Sequence, residues 1–210
     1  LDSGFDTDGM PDGDDDVTIS NHDVTVTAAA GFGHLECSAS GNNEPTLTIN
    51  SGVSLTGYDT EEDGAITAIA DGPTKITAPA KTLTLDISGT VSCKSLSMST
   101  TKANANARCY VKNGGTLTIE NDLTFSLDAT GIDTDIQLLA TTGTGNTLNL
   151  GGAIIGVSTS DGVINMGSSA GVSTFNFNGS SAQTIQFDDP SDLIYSDILI
   201  SSSVALGSAL

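Results

Sequence analysis

The sequence predicts an all-β fold, a right-handed parallel β-helix (β-solenoid) of short strands with decorating loops. Three observations carry that expectation. Apolar residues recur at every second position in GTLTIENDLTF, NTLNLGGAIIG, GVINMGSSAG and STFNFNGSSAQTIQF, all between Gly115 and Phe187. Each run closes on Gly, Asn, Ser or Asp, and the runs follow one another at short, uneven intervals. No window there carries the i, i+3, i+4, i+7 spacing of an amphipathic helix. A period of two points Leu117, Ile119, Leu148, Leu150, Ile164, Met166, Phe175 and Phe177 one way, and Thr118, Asn149, Asn165 and Asn176 the other. That is the pattern of strands with one buried face. A short strand and a sharp polar turn, repeated many times, coil a chain into a solenoid.

In chain order, residues 1–16, LDSGFDTDGMPDGDDD, form an acidic lead-in without alternation. It is expected to fold over the first coil, because a bare solenoid end is an open sheet edge. Residues 17–210 read as a single β-solenoid domain, cut from or continuing into a larger protein. Strands are expected at 17–19 and 24–26 around a turn at Ser20 to Asp23, then in HLECSA and in PTLTINSGVSLTG. The acidic stretch 57–64, GYDTEEDG, reads as a loop. Residues 65–98 read as five short strands broken at Asp71–Pro73, Pro79 and Gly89. The stretch 99–107, STTKANANA, shows no alternation and is expected to leave the rod. RCYV resumes the pattern, DDPSD at 188–192 marks a turn, and DILI and VAL give the last two strands.

The clearest internal repeat is a T-L-T phrase at Thr46–Thr48, Thr82–Thr84 and Thr116–Thr118, echoed by Thr147-Leu148-Asn149. Its offsets are 36 (82 − 46), 34 (116 − 82) and 31 (147 − 116) residues. About twenty strand-like runs, three to a coil, give about seven coils. In-register stacking is expected to set aliphatic ladders inside and Thr or Asn ladders outside.

Composition fits a thin core. Aromatics are 4% of the chain and Trp is absent, whereas Gly numbers 24. The formal charge of −20, from 26 acidic and 6 basic side chains, argues against binding to nucleic acid or anionic membrane, both of which need a basic footprint. No run approaches the ~18 apolar residues of a membrane span. The basic residues Lys75, Lys81, Lys94, Lys102, Arg108 and Lys112 all fall in the central stretch. They serve either to solubilise loops or as a belt that meets the acidic ends of neighbouring molecules. Cys93 and Cys109 are 16 residues apart (109 − 93), and either bridge or pack as small apolar residues, with Cys37 left over. Thiolate metal binding is not expected from their spacing.

One metal site is expected. Asp6, Asp8, Asp12 and Asp14, with Asp15 and Asp16 beside them, alternate with Gly in the lead-in, and calcium takes six to eight oxygens from such loops. Asp6, Asp8, Gly9 and Asp12 partly meet a D-x-D-G-x-x-D phrase, although the closing Glu of an EF-hand loop is missing. No residue takes a catalytic role. His22 and His34 read as surface histidines, and the abundance of Asp makes any imagined carboxylate pair uninformative.

The phrases PDGDDDVTISNHDVTVTA, PTLTINSGVSLTG and STFNFNGSSAQTI together resemble secreted, repetitive β-helix surface and adhesin-like proteins of Bacteroidetes-type bacteria. Such proteins often carry a Trp in the lead-in, where this chain has Phe5. The resemblance implies an exported, cell-surface protein and brings no catalytic motif with it. The functional expectation is an extracellular structural or adhesive solenoid, without enzymatic activity. Its partners would be further copies joined end to end into fibres, or a glycan or other cell-surface ligand contacted by loops 57–64 and 99–107. The alternatives are a polysaccharide lyase or hydrolase built on a β-helix, and an ice-binding face made by outward Thr.

Overall fold

A computed structural model of the chain describes residues 15–58, 63–71, 81–101, 105–127, 134–139, 145–155, 162–165, 173–185, 193–194, 197–200 and 204–206. The described residues form strands, turns and bends, with no helix among them. The strands, numbered β1 to β22 in chain order, are dealt in rotation to three parallel sheets. The first sheet holds β1 (Asp16–Ser20), β4 (His34–Ser40), β7 (Ile66–Asp71), β10 (Leu96–Thr100), β13 (Leu123–Leu127), β16 (Ile154–Ile155), β19 (Gln183–Ile185) and β22 (Val204–Leu206). The second holds β2 (Val24–Val26), β5 (Thr46–Ile49), β8 (Lys81–Ile87), β11 (Ala105–Lys112), β14 (Thr134–Leu139), β17 (Gly162–Asn165) and β20 (Leu193–Ile194). The third holds β3 (Ala30–Phe32), β6 (Ser54–Gly57), β9 (Thr90–Cys93), β12 (Thr116–Ile119), β15 (Thr147–Leu150), β18 (Thr174–Phe177) and β21 (Asp197–Ile200). Each sheet therefore takes every third strand, which is the topology of a β-solenoid. Three strands to a coil make seven coils among the described residues, with β22 opening an eighth.

Alternation decides which side chains the coil encloses. Leu117 lies in register with Val91 on one side and Leu148 on the other, and Leu148 with Phe175. The next inward row runs Cys93, Ile119, Leu150, Phe177. In the first sheet the inward row runs Leu35, Ile66, Leu96, Leu123, Ile154. All of these are buried, and they belong to one core cluster that follows the stack. Burying such aliphatic and aromatic side chains is worth about 1.5–3 kcal/mol each. The Phe175 and Phe177 rings, both buried, lie 4.2 Å apart between centroids.

Turns are closed by residues that tolerate left-handed backbone. Between β11 and β12, Asn113 (φ 55°) and Gly114 (φ 83°) are both left-handed, and the Gly115 amide donates to the Lys112 carbonyl at 2.9 Å. A turn with positive φ at both central positions selects Asn and Gly.

Two expectations are corrected. The T-L-T phrases are not one repeat. Thr46 pairs with Thr84 and Leu47 with Leu85, so Thr82–Thr84 sits two residues out of step with Thr46–Thr48. Thr116–Thr118 and Thr147–Asn149 belong to a different sheet, where they do stack in register. Register is set by which residues must face the core, and a T-L-T phrase satisfies that demand on any strand. Coil steps vary accordingly, from 18 residues (Asp16 to His34) to 38 (Thr46 to Thr84).

The stretch 99–107 does not leave the rod as a whole. Ser99 and Thr100 end β10, and Ala105 and Ala107, buried in the core, begin β11. Alternating Ala was not read as apolar, yet in so narrow a coil a methyl group fills the space available. Residues 102–104 lie outside the described residues.

Of the five strands expected over residues 65–98, four are present as β7 to β10, and the fifth falls in residues 72–80, outside the described residues. Of the two cysteine readings, packing prevails. No disulfide joins the three buried cysteines, and Cys93 and Cys109 lie in different sheets.

Candidate interaction surfaces

Two surfaces stand out: one end of the coil and one face of the third sheet. At the end, β1, β2 and β3 are the first strands of their sheets, each paired on one side only among the described residues. Val17, Ile19, Val24, Val26 and Ala30 are half-buried, whereas their partners one coil on, Leu35, Cys37, Leu47, Ile49 and Leu55, are buried. Val17, Ile19, Val24, Val26, Ala30 and Phe32 are among the residues that line an apolar cup of about 240 Å³. At the other end β20, β21 and β22 finish their sheets. Both ends thus offer one strand edge per sheet among the described residues, in parallel orientation.

The outward face of the third sheet carries two columns in unbroken register. One runs Ser54, Thr90, Thr116, Thr147, Thr174, and the other Thr56, Ser92, Thr118, Asn149, Asn176. Asn149 Nδ2 donates to Thr118 Oγ1 at 3.0 Å, and Asn176 Nδ2 donates to Asn149 Oδ1 at 3.2 Å. None of the ten residues is charged. Outward positions of the other sheets include Asp16, Glu36, Asp86, Arg108 and Lys112.

The central basic residues are paired within the rod. Lys81 meets Glu44 at 3.1 Å, Lys94 meets Glu120 at 2.6 Å, and Lys112 meets Asp86 at 2.6 Å, each across the step from one coil to the next. Arg108 Nη1 donates to the Tyr110 hydroxyl at 3.4 Å. Stacked coils bring an acid within reach of each of these lysines, which disfavours a belt reserved for neighbouring molecules. Lys75 and Lys102 lie outside the described residues.

At the corner between the third and first sheets, a polar groove of about 660 Å³ is lined by Glu120, Asp122, Gly151, Gly152, Asn178 and Gly179, among others. Its two carboxylates are engaged by the protein, Glu120 by Lys94. Asp122 Oδ1 accepts from the Ala153 amide at 2.7 Å. The buried Gln183 donates Nε2 to the Leu150 and Gly152 carbonyls at 2.7 and 2.8 Å, and accepts from the Gly179 amide at 2.9 Å. Gln183 was missed as a key residue, although it sits inside the NGSSAQTI phrase that the resemblance rests on. Its role is to tie a turn to the coil below.

His34 stands at the start of β4, with Nδ1 2.9 Å from Asp63 Oδ1. Partial burial works against the Asp63 charge. The hydrogen bonds from His34 and the Ala65 amide outweigh it and hold the carboxyl below its usual range. Burial, with Glu36 beside it, pushes the Cys37 thiol up to about 12, and burial does the same for Cys93, near Glu120.

The expected calcium ligands Asp6, Asp8, Asp12 and Asp14 lie outside the described residues, as do 59–62 of the acidic loop. Among the described residues no three His, Cys, Asp or Glu are grouped to hold a metal, and no helix is long and apolar enough to cross a membrane. Comparison with protein-family models, with curated proteins and with solved structures finds no match.

Proposed function

We propose that this chain is a secreted, surface-displayed β-solenoid with a structural and adhesive role, and that it assembles head to tail into fibres. The observation that carries the reading is the apolar cup at the β1–β3 end. There, core residues lose the burial that their partners one coil on enjoy, beside three strand edges that are paired on one side only among the described residues. A strand edge is a template for another strand, and an apolar cup adds the driving force. Head-to-tail contact uses two different surfaces and does not close on itself, so it generates a filament. Calcium held by Asp6, Asp8, Asp12 and Asp14, next to β1 in the sequence, would brace the junction. Contact with a glycan or another cell-surface ligand is the adhesive half of the same reading.

Sedimentation of the wild type against a Val24→Asp variant tests it. The wild type is expected to gain mass with concentration, and the variant, with a carboxylate in the cup, to remain a monomer. A wild type that stays monomeric at every concentration would overturn the fibre reading.

A further inference from the structure

We propose that the outward face of the third sheet is an ice-binding face, made by the columns Ser54, Thr90, Thr116, Thr147, Thr174 and Thr56, Ser92, Thr118, Asn149, Asn176. The inference is independent of fibre formation.

Its first support is charge. The chain carries −20, yet these ten outward positions on five consecutive strands hold no ionisable group. Charges return at the border, in the Lys94–Glu120 pair, and at the end of the first column, where Thr174 is in register with Asp197 of β21. An uncharged face suits an uncharged ligand, and water held in a lattice is one.

The second support is geometry. Neighbouring strands lie about 4.8 Å apart, and residues i and i+2 on one strand about 6.6 Å apart, so the hydroxyl and amide groups form a two-dimensional grid. Ice presents a grid of alternating donors and acceptors with repeats of similar size. Thr and Asn each offer both a donor and an acceptor to such a surface.

The third support is preorganisation. The χ1 of a β-branched Thr is restricted by its own backbone. Asn149 and Asn176 are fixed by the hydrogen bonds to Thr118 and to one another. Groups already ordered lose little entropy on binding, and many weak contacts made together add up. A neutral polysaccharide is the competing occupant. It is less well served, because a sugar chain is one-dimensional and none of the ten residues is an aromatic platform.

The test is thermal hysteresis together with partition into a slowly growing ice hemisphere, using the whole chain. The wild type is expected to hold a freezing gap and to enter the ice. Thr116→Val and Thr147→Val, which remove hydroxyls at nearly constant volume, and Thr116→Lys are expected to lose most of both effects. Thr124→Lys, on the outward side of the first sheet, is expected to keep them. Circular dichroism of each variant separates loss of binding from loss of fold. A wild type with no freezing gap and no partition into ice overturns the proposal, as does equal loss in Thr124→Lys. Retention on crystalline cellulose or chitin without ice binding would assign the face to a glycan instead.

Discussion

Lys112 Nζ lies 2.6 Å from Asp86 Oδ2, and the carboxylate it meets is only 17% exposed, with its second oxygen buried and without a partner. The Lys94–Glu120 pair is equally short, but there the carboxylate is 50% exposed. Water can replace the lost cation at Glu120 far better than at Asp86. Lys112→Met is therefore expected to cost about 1–3 kcal/mol, because it strands a poorly solvated charge. Lys94→Met should cost about 0–1 kcal/mol, the range of exposed pairs. Urea unfolding of the two variants beside the wild type measures the difference, and equal costs would refute the argument.

Leu117 is 1% exposed and held between Val91 and Leu148. Leu117→Ala leaves a void between two coils that the close-packed backbone ladder cannot shrink to fill, and about 2–5 kcal/mol is expected. Contacts in a solenoid run mainly between neighbouring coils, so the loss should appear first as local opening around β12. Amide exchange read along the chain checks the location.

Gly151 lies directly over the Glu120 carbonyl of the coil before it, where an added Cβ would collide with backbone. Gly151→Ala is expected to destabilise by about 1–3 kcal/mol, as overpacking does. Thr124→Ala on the exposed side of β13 serves as the comparison. A thermal melt that moves Gly151→Ala no further than Thr124→Ala would contradict the close approach.

The thiols make a pH prediction. In the folded chain Cys37 and Cys93 are pushed up to about 12 from an ordinary value of 9.0, chiefly by burial. The unfolded state thus loses these protons first as pH rises. Stability from this source is complete below about pH 9 and is lost as pH climbs toward 12. At pH 8 neither thiol should react with a thiol reagent until the chain unfolds. Rapid labelling of the native protein at these positions would show that the core is open.

The three-sheet coil was legible because alternation is local. TLTI at β12, TLNL at β15 and TFNF at β18 each show their inward residues without help from the rest of the chain. Which strand lies on which was not legible. TLTI at β5 and TLTI at β12 are the same four residues, yet they lie in different sheets and follow coils of different length. Only when the strands are dealt out by threes do Thr90, Thr116, Thr147 and Thr174 fall into one column. Short AGF at β3 and alternating Ala at the start of β11 were hidden because small side chains give weak patterns. The apolar cup follows from position alone: Val24 and Leu47 look alike in sequence, but only one has a coil on both sides.

The central claim is an assembling rod, and electron microscopy of negatively stained protein tests it most directly, in calcium and again in chelator. The account predicts fibres many times longer than the roughly 35 Å that seven coils span at the parallel-strand spacing, breaking down when calcium is removed. Single short rods under both conditions would contradict it.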